Sequence, residues 1–172
     1  MFNVNKITIQ ISLKYLHIMF QKITKTDLSK TTILIRIMIG AVFLSEGIQK
    51  FLFPAIRGAG RFEKIGLPSP EFLGSFVGTF EILCGILVLT GLFTRLASIP
   101  LITIMLVAIA ATKSEVLAEK GFWEMMHGSR TDWAMLVGNI FLLIKGGGRW
   151  SIDSLVFNPD TLNQIDEVEL RK

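Results

Sequence analysis

One cysteine, Cys84, stands among 172 residues. No intramolecular disulfide can form, and cysteine-pair zinc sites and dithiol redox chemistry are excluded. Charge is also scarce. Only 19% of residues are Asp, Glu, Lys or Arg, against about 25% in soluble domains. There are two histidines, His17 and His127, and they are far apart in the chain. His127 lies near Glu124 and Asp132 without a second histidine at ligand spacing, so no metal site is expected there. No glycine-rich nucleotide loop or P-loop is present, and no nucleophile–base set is recognisable. No catalytic residue is therefore assigned. The net charge is +4, but the basic residues are scattered between apolar blocks. Without a dense basic stripe, nucleic acid is not an expected partner.

Apolar residues are abundant, at 51%, and 15 glycines come on top. The mean hydropathy is +0.54. This balance excludes a disordered chain and disfavours a water-soluble globule. The lipid bilayer is the expected surrounding. Four segments read as spans. Thr32–Phe51 is long enough as a helix to cross the hydrocarbon core and carries Arg36, Glu46 and Lys50. Phe72–Phe93 carries a single charge, Glu81, and Leu96–Thr112 carries none but contains Pro100. Trp133–Ile144 is short for a span, and extension to Thr131 and a snorkelling Lys145 makes it one. Phe53-Pro54 closes the first span, and Leu67-Pro68-Ser69-Pro70 precedes the second. Gly91 to Arg95 forms a tight turn that makes spans two and three antiparallel neighbours. Ser129 or Thr131 is expected to cap span four, and Gly146-Gly147-Gly148 to end it.

The expected fold is all-α: a membrane-spanning four-helix bundle over residues 31–155. An N-terminal interfacial helix or extension (1–30) and an acidic C-terminal tail (156–172) flank it. Four spans put both termini on one side, which collects 11 Lys and Arg residues against seven on the other. The positive-inside rule then makes both termini cytoplasmic. In residues 1–30, Leu13, Leu16, Phe20 and Ile23 fall on one helical face, as in a helix lying on the inner leaflet. Trp123 and Trp133 suit an aromatic belt at one interface and Trp150 at the other.

A charge at the bilayer centre costs at least about 2.5–3.5 kcal/mol, so each one demands a partner. Glu46 in span one and Glu81 in span two fall at similar depth if the spans are neighbours. Lys50 follows Glu46 by four positions, on the same helix face. It can reach back toward both carboxylates. Arg36 lies about 9 Å from the midplane on the side of the termini, either at the interface or pointing to the bundle interior. Arg36, Glu46, Lys50 and Glu81 are the candidate binding residues. One reading is a polar pocket in the outer half of the bundle, able to receive a quinone head group or pass a proton. The other is an interhelical network that fixes register. Asn139 faces the same choice. Gly74 and Gly78, continued by Gly85, and the pair Gly40 and Gly47 read as stripes for close helix contact. Arg57, Arg61 and Lys64 in the first loop either cover the pocket mouth, contact lipid phosphates, or form a solvated face.

This pattern resembles the DoxX family of small four-helix membrane proteins. The matching residues are Arg36, Gly40 and Phe43, then Gly47, Lys50 and Phe51. They continue with Phe62, Gly66-Leu67-Pro68, Glu81 with Gly85, and Gly91 with Thr94-Arg95. Gly146, then Gly148 to Asp153, completes them. The resemblance covers about residues 31–155. It supports the fourth span and implies a bacterial inner-membrane protein with a role near quinone or sulfur redox chemistry. The family takes its name from a subunit of an archaeal thiosulfate:quinone oxidoreductase. The expectation is thus an oxidoreductase subunit acting with quinone. No cofactor is held by the chain, and electrons come from a partner in a membrane complex or an external reductant. The alternatives are a non-catalytic anchoring subunit, alone or as a homo-oligomer, and a small-solute or lipid carrier.

Overall fold

The computed structural model describes residues 24–157. The expected interfacial helix and the acidic tail fall almost wholly outside them. Seven helices follow in order among the described residues: α1 (Thr32–Leu52), α2 (Ala59–Lys64), α3 (Pro70–Thr90), α4 (Thr94–Lys120), α5 (Phe122–Gly128), α6 (Arg130–Lys145) and α7 (Ile152–Phe157). No strand occurs among these residues. The protein is all-helical, and α1, α3 and α4 are long and apolar enough to cross a membrane. At 16 residues, α6 rises about 24 Å, somewhat less than a full hydrocarbon core.

The breakers act where the residues place them. Helix α1 stops at Leu52 before Pro54, and Pro70 opens α3 at a position that needs no amide hydrogen. Gly91 closes α3 with φ 73°, a left-handed conformation that glycine adopts without strain. Gly146 closes α6 at φ 78° as well, but with ψ −161°, so there the chain leaves the helix extended. Helix α4 runs beyond the expected Thr112 to Lys120. The residues after Thr112 are mostly polar but contain no helix breaker before Gly121, so helix propensity carries the backbone past the end of the apolar run. Ser129 occupies the cap position of α6, but its hydroxyl donates back to the Met125 carbonyl at 2.6 Å.

The long helices form a ring in the order α1, α3, α4, α6, with α1 against α3 and α4 against α6 as the main pairs. We call the end where α1 begins and α6 ends proximal, and the other distal. The α1–α3 seam is held by glycine. A Cβ at Gly85 would lie 2.9 Å from the Leu44 amide nitrogen and 3.1 Å from the Gly40 carbonyl oxygen. One at Gly47 would lie 2.8 Å from the Gly78 oxygen. Backbone therefore touches backbone, which raises dispersion contact where lipid and protein are equally apolar. Between the helices lies a core of Ile39, Phe43, Cys84, Val88, Ala97, Leu101, Met105, Met135, Leu136 and Leu142. It fills the proximal half and middle of the bundle.

Residues before α1 are tied to the end of α6. Asp27 receives the Lys145 ammonium at 2.8 Å, and its amide donates to the Lys145 carbonyl at 2.8 Å. Lys145 thus pairs with a neighbouring carboxylate rather than only reaching for the interface.

Gly85→Leu should destabilise the bundle by about 3 kcal/mol, the upper end for overpacking, because backbone atoms obstruct the side chain. Gly128→Ala, where nothing lies within 4 Å of the new Cβ, should be neutral. Unfolding in mixed micelles, followed by far-ultraviolet circular dichroism, compares the two.

Candidate functional site

Two polar clusters interrupt the apolar bundle, one at each end. The distal cluster is set by the α1–α3 register. With Gly47 on Gly78, Lys50 and Glu81 face each other across the seam. Lys50 Nζ lies 2.6 Å from Glu81 Oε2, with side-chain exposures of 10% and 5%. The seam glycines make this possible: a Cβ on Gly78 would sit 3.3 Å from Lys50 Cβ and 2.9 Å from the Phe51 ring. Glu46 is half-buried one turn before Lys50, level with Glu81, and forms no ion pair among the described residues. Both Glu46 and Arg61 of α2 lie within Coulomb range of Glu81. Helix α2 is held over the start of α3 by another close approach, since a Cβ on Gly74 would lie 2.8 Å from the Ala59 nitrogen. The result is one cation and one anion in near-complete contact in a dry setting, with a second carboxylate and a second cation at its margin. A group that both accepts and donates hydrogen bonds matches such a pair.

Arg36 does not share this cluster. It lies 14 residues before Lys50 on the same helix, about 21 Å away along the axis. Its guanidinium is buried and, among the described residues, donates only to backbone carbonyls. Nε donates to Val88 (2.9 Å), Nη2 to Leu89 (2.5 Å), and Nη1 to Gly147 (3.1 Å) and Trp150 (2.5 Å). The first two belong to the last turn of α3, where Val88 also accepts the Gly91 amide at 3.2 Å, so Arg36 helps cap that helix from its neighbour. Gly91 leaves the room: a Cβ there would lie 2.6 Å from the Arg36 Cζ.

Sequence reasoning did not single out Asp153 as a site residue. Its carboxylate accepts the amides of Phe93 (2.8 Å) and Thr94 (3.0 Å), the exposed donors at the start of α4. Its own amide donates to the Gly91 carbonyl at 3.0 Å. Phe93 has φ 48° and α4 has no cap of its own, so a distant residue supplies one. The only sequence signal was an acid that closes the Gly148 to Asp153 run. Arg36 and Asp153 together weld the α3–α4 turn to the loop after α6. Burial pushes the Asp153 carboxyl above the ordinary carboxylate range, against the two amides and Arg36, which pull it down.

The remaining candidates are simpler. Asn139 is fully buried, and its Nδ2 donates to the Met135 carbonyl at 2.8 Å. His127 contacts Arg130, and no group of three or more His, Cys, Asp or Glu among the described residues is placed to hold a metal. At the distal end Lys113 pairs with Asp132 at 3.3 Å, tying α4 to α6. Trp123 is 82% exposed at the distal end, and Trp150 is exposed at the proximal end.

The DoxX family model matches residues 31–114. An uncharacterized membrane protein of Mycobacterium tuberculosis (strain ATCC 25618 / H37Rv) is 51% identical over 129 residues, covering 72% of this chain and 79% of that protein. The chain belongs to the DoxX family. CatD of Bacillus subtilis (strain 168), named as a candidate oxidoreductase, is 28% identical over 127 residues, covering 73% of this chain and 87% of CatD. No solved structure matches. This DoxX-family chain is a membrane protein, and both the Lys50–Glu81 pair and Arg36 lie within the matched residues.

Glu81→Ala should destabilise the fold by about 3–5 kcal/mol, because it strands the buried Lys50 ammonium. The double change Lys50→Met with Glu81→Leu should recover most of that loss. Unfolding in mixed micelles reads both. Asp153 makes a pH prediction. A carboxyl raised in the folded state stabilises the fold at pH below the unfolded value. That contribution is lost as pH rises through the raised folded value. Asp153→Asn stays neutral throughout, so stability should lose this fall with rising pH. Thermal unfolding scanned from acid to neutral pH checks it.

Proposed function

We propose that this DoxX-family protein is a quinone-associated redox subunit of a bacterial inner membrane, with both termini cytoplasmic. Its head-group site is built on Lys50 and Glu81, with Glu46 beside them. The observation that carries the reading is the buried Lys50–Glu81 pair, which places a strong donor and a strong acceptor together in a water-poor interior. A quinone carbonyl accepts from an ammonium, and a hydroquinone hydroxyl donates to a carboxylate. A mobile lipid-soluble carrier also suits a site reached from within the bilayer. Among the described residues Glu46 is an acid without an ion pair, and it is the natural next acceptor for a proton leaving Glu81. Electrons come from a partner subunit or an external reductant. Arg36 acts at a distance by holding the helix frame. The name of CatD is consistent with redox chemistry and adds support.

A second reading has its own observation. The direct 2.6 Å contact also suits a non-catalytic anchoring subunit in which the pair only fixes α1 against α3.

Purified protein should carry extractable quinone, and added quinone should quench its tryptophan fluorescence saturably. Glu81→Gln, which keeps the shape and a hydrogen bond to Lys50, should weaken that response about tenfold, the loss of one charged hydrogen bond. A folded Glu81→Gln protein with an unchanged response, or wild type with neither bound quinone nor quenching, would reject the redox reading and leave the anchoring one.

A further inference from the structure

Four buried side chains, one from each long helix, lie at a single level of the core. Gly85 abuts Gly40 and Leu44, which sets Cys84 level with Phe43. Gly138 abuts Ile39, so Met135, one turn distal, is also level with Phe43. Arg95 donates to the Ile144 carbonyl and Lys113 to the Gly128 carbonyl, a register that sets Met105 level with Met135. All four residues are buried members of the same core cluster. One thiol and two thioethers, from α3, α4 and α6, thus share one layer.

The next layer toward the proximal end is Ile39, Val88, Leu101 and Asn139, each 0% exposed. Asn139 is its one polar member. Because Nδ2 donates to the Met135 carbonyl, the amide leans back over the turn that carries Met135, toward the sulfur layer. Its Oδ1 has no hydrogen-bond partner among the described residues. A buried acceptor left in that state is costly in an apolar core. The aliphatic layer around it does not explain why an amide stands there.

We infer that this layer is a binding site for a soft monovalent metal ion of the Cu(I) class. The Cys84 thiolate is the anionic ligand, and Met105 and Met135 are the thioether ligands. Asn139 presents the negative end of its amide dipole to the cation. Thiolate and thioether sulfur select soft ions. Charge selects further: one thiolate and one monovalent cation sum to zero, so the loaded layer carries no net charge into a dry core, whereas a divalent ion would leave one there. Loading exchanges the Cys84 thiol proton for the metal. An S–H bond breaks, an S–Cu bond forms, the proton passes to the buffer, and no oxidation state changes. The expectation of no metal site came from the spacing of histidines and acids and does not bear on sulfur ligands. The inference is independent of the quinone reading, since its residues are not those of the Lys50–Glu81 pair.

Anaerobic titration of the full-length protein in detergent, with Cu(I) buffered by bicinchoninate, tests it. One equivalent should leave the chelator, and X-ray absorption should show sulfur neighbours only. Cys84→Ser should weaken binding about 100-fold, and Met105→Leu and Met135→Leu about tenfold each. The Met→Leu changes conserve volume, so their effect reads the sulfur and not the packing. Failure of the wild type to withdraw Cu(I), or wild-type affinity in a folded Cys84→Ser protein, overturns the site. Should Cys84→Ser not fold, the Met105→Leu/Met135→Leu double variant decides, because undiminished affinity there overturns it equally.

Discussion

Polar groups that enter a bundle of apolar helices must find partners within the protein, because hydrocarbon offers none. This constraint organises the molecule more than the apolar core does. The clearest case is Arg36. A guanidinium with five donors sits buried near one end of α1, and four backbone carbonyls from two separate segments converge on it. Because those carbonyls belong to the end of α3 and the loop after α6, satisfying one side chain also fixes where two other segments go. Asp153 completes the arrangement from the opposite sign, supplying acceptors to the start of α4. The proximal end is therefore closed by bonds between side chains and backbone.

The distal end obeys the same constraint differently. Lys50 and Glu81 satisfy each other across a seam made close by glycine. A side chain–side chain ion pair is exchangeable in a way that the Arg36 cage is not: either partner can accept a substitute group of suitable chemistry. The proposed head-group site therefore falls to the distal cluster, while the Arg36 bonds frame the proximal one. Lys113 and Asp132, more exposed, close the α4–α6 side at the same end.

Much of this was legible in the residues. Long apolar runs and their proline and glycine boundaries located α1, α3 and the turn before α4, because helix length and breakers act locally. The depth match of Glu46, Lys50 and Glu81 followed from helix rise alone and anticipated the Lys50–Glu81 contact. The end of α4 was misplaced, since hydropathy marks where apolar character stops and not where helix propensity does. Of the two caps expected, Ser129 or Thr131, Ser129 takes the cap position of α6, but its hydroxyl is taken by the preceding turn. Arg36 was visible as a charge within a span, but its burial and its partners were not, since those partners are carbonyls and every residue has one.

By itself the sequence determined that the chain is helical, that it lives in a membrane, and which charges must be paired there. Those properties depend on composition and on spacing along a single helix. Only the tertiary structure decided that Arg36 and Lys50 serve different ends, that Asp153 caps a helix 59 residues away, and that Cys84 shares a layer with Met105 and Met135. Such facts depend on register between helices, which the α1–α3 glycine contacts and the loop geometry set together and which no single segment encodes.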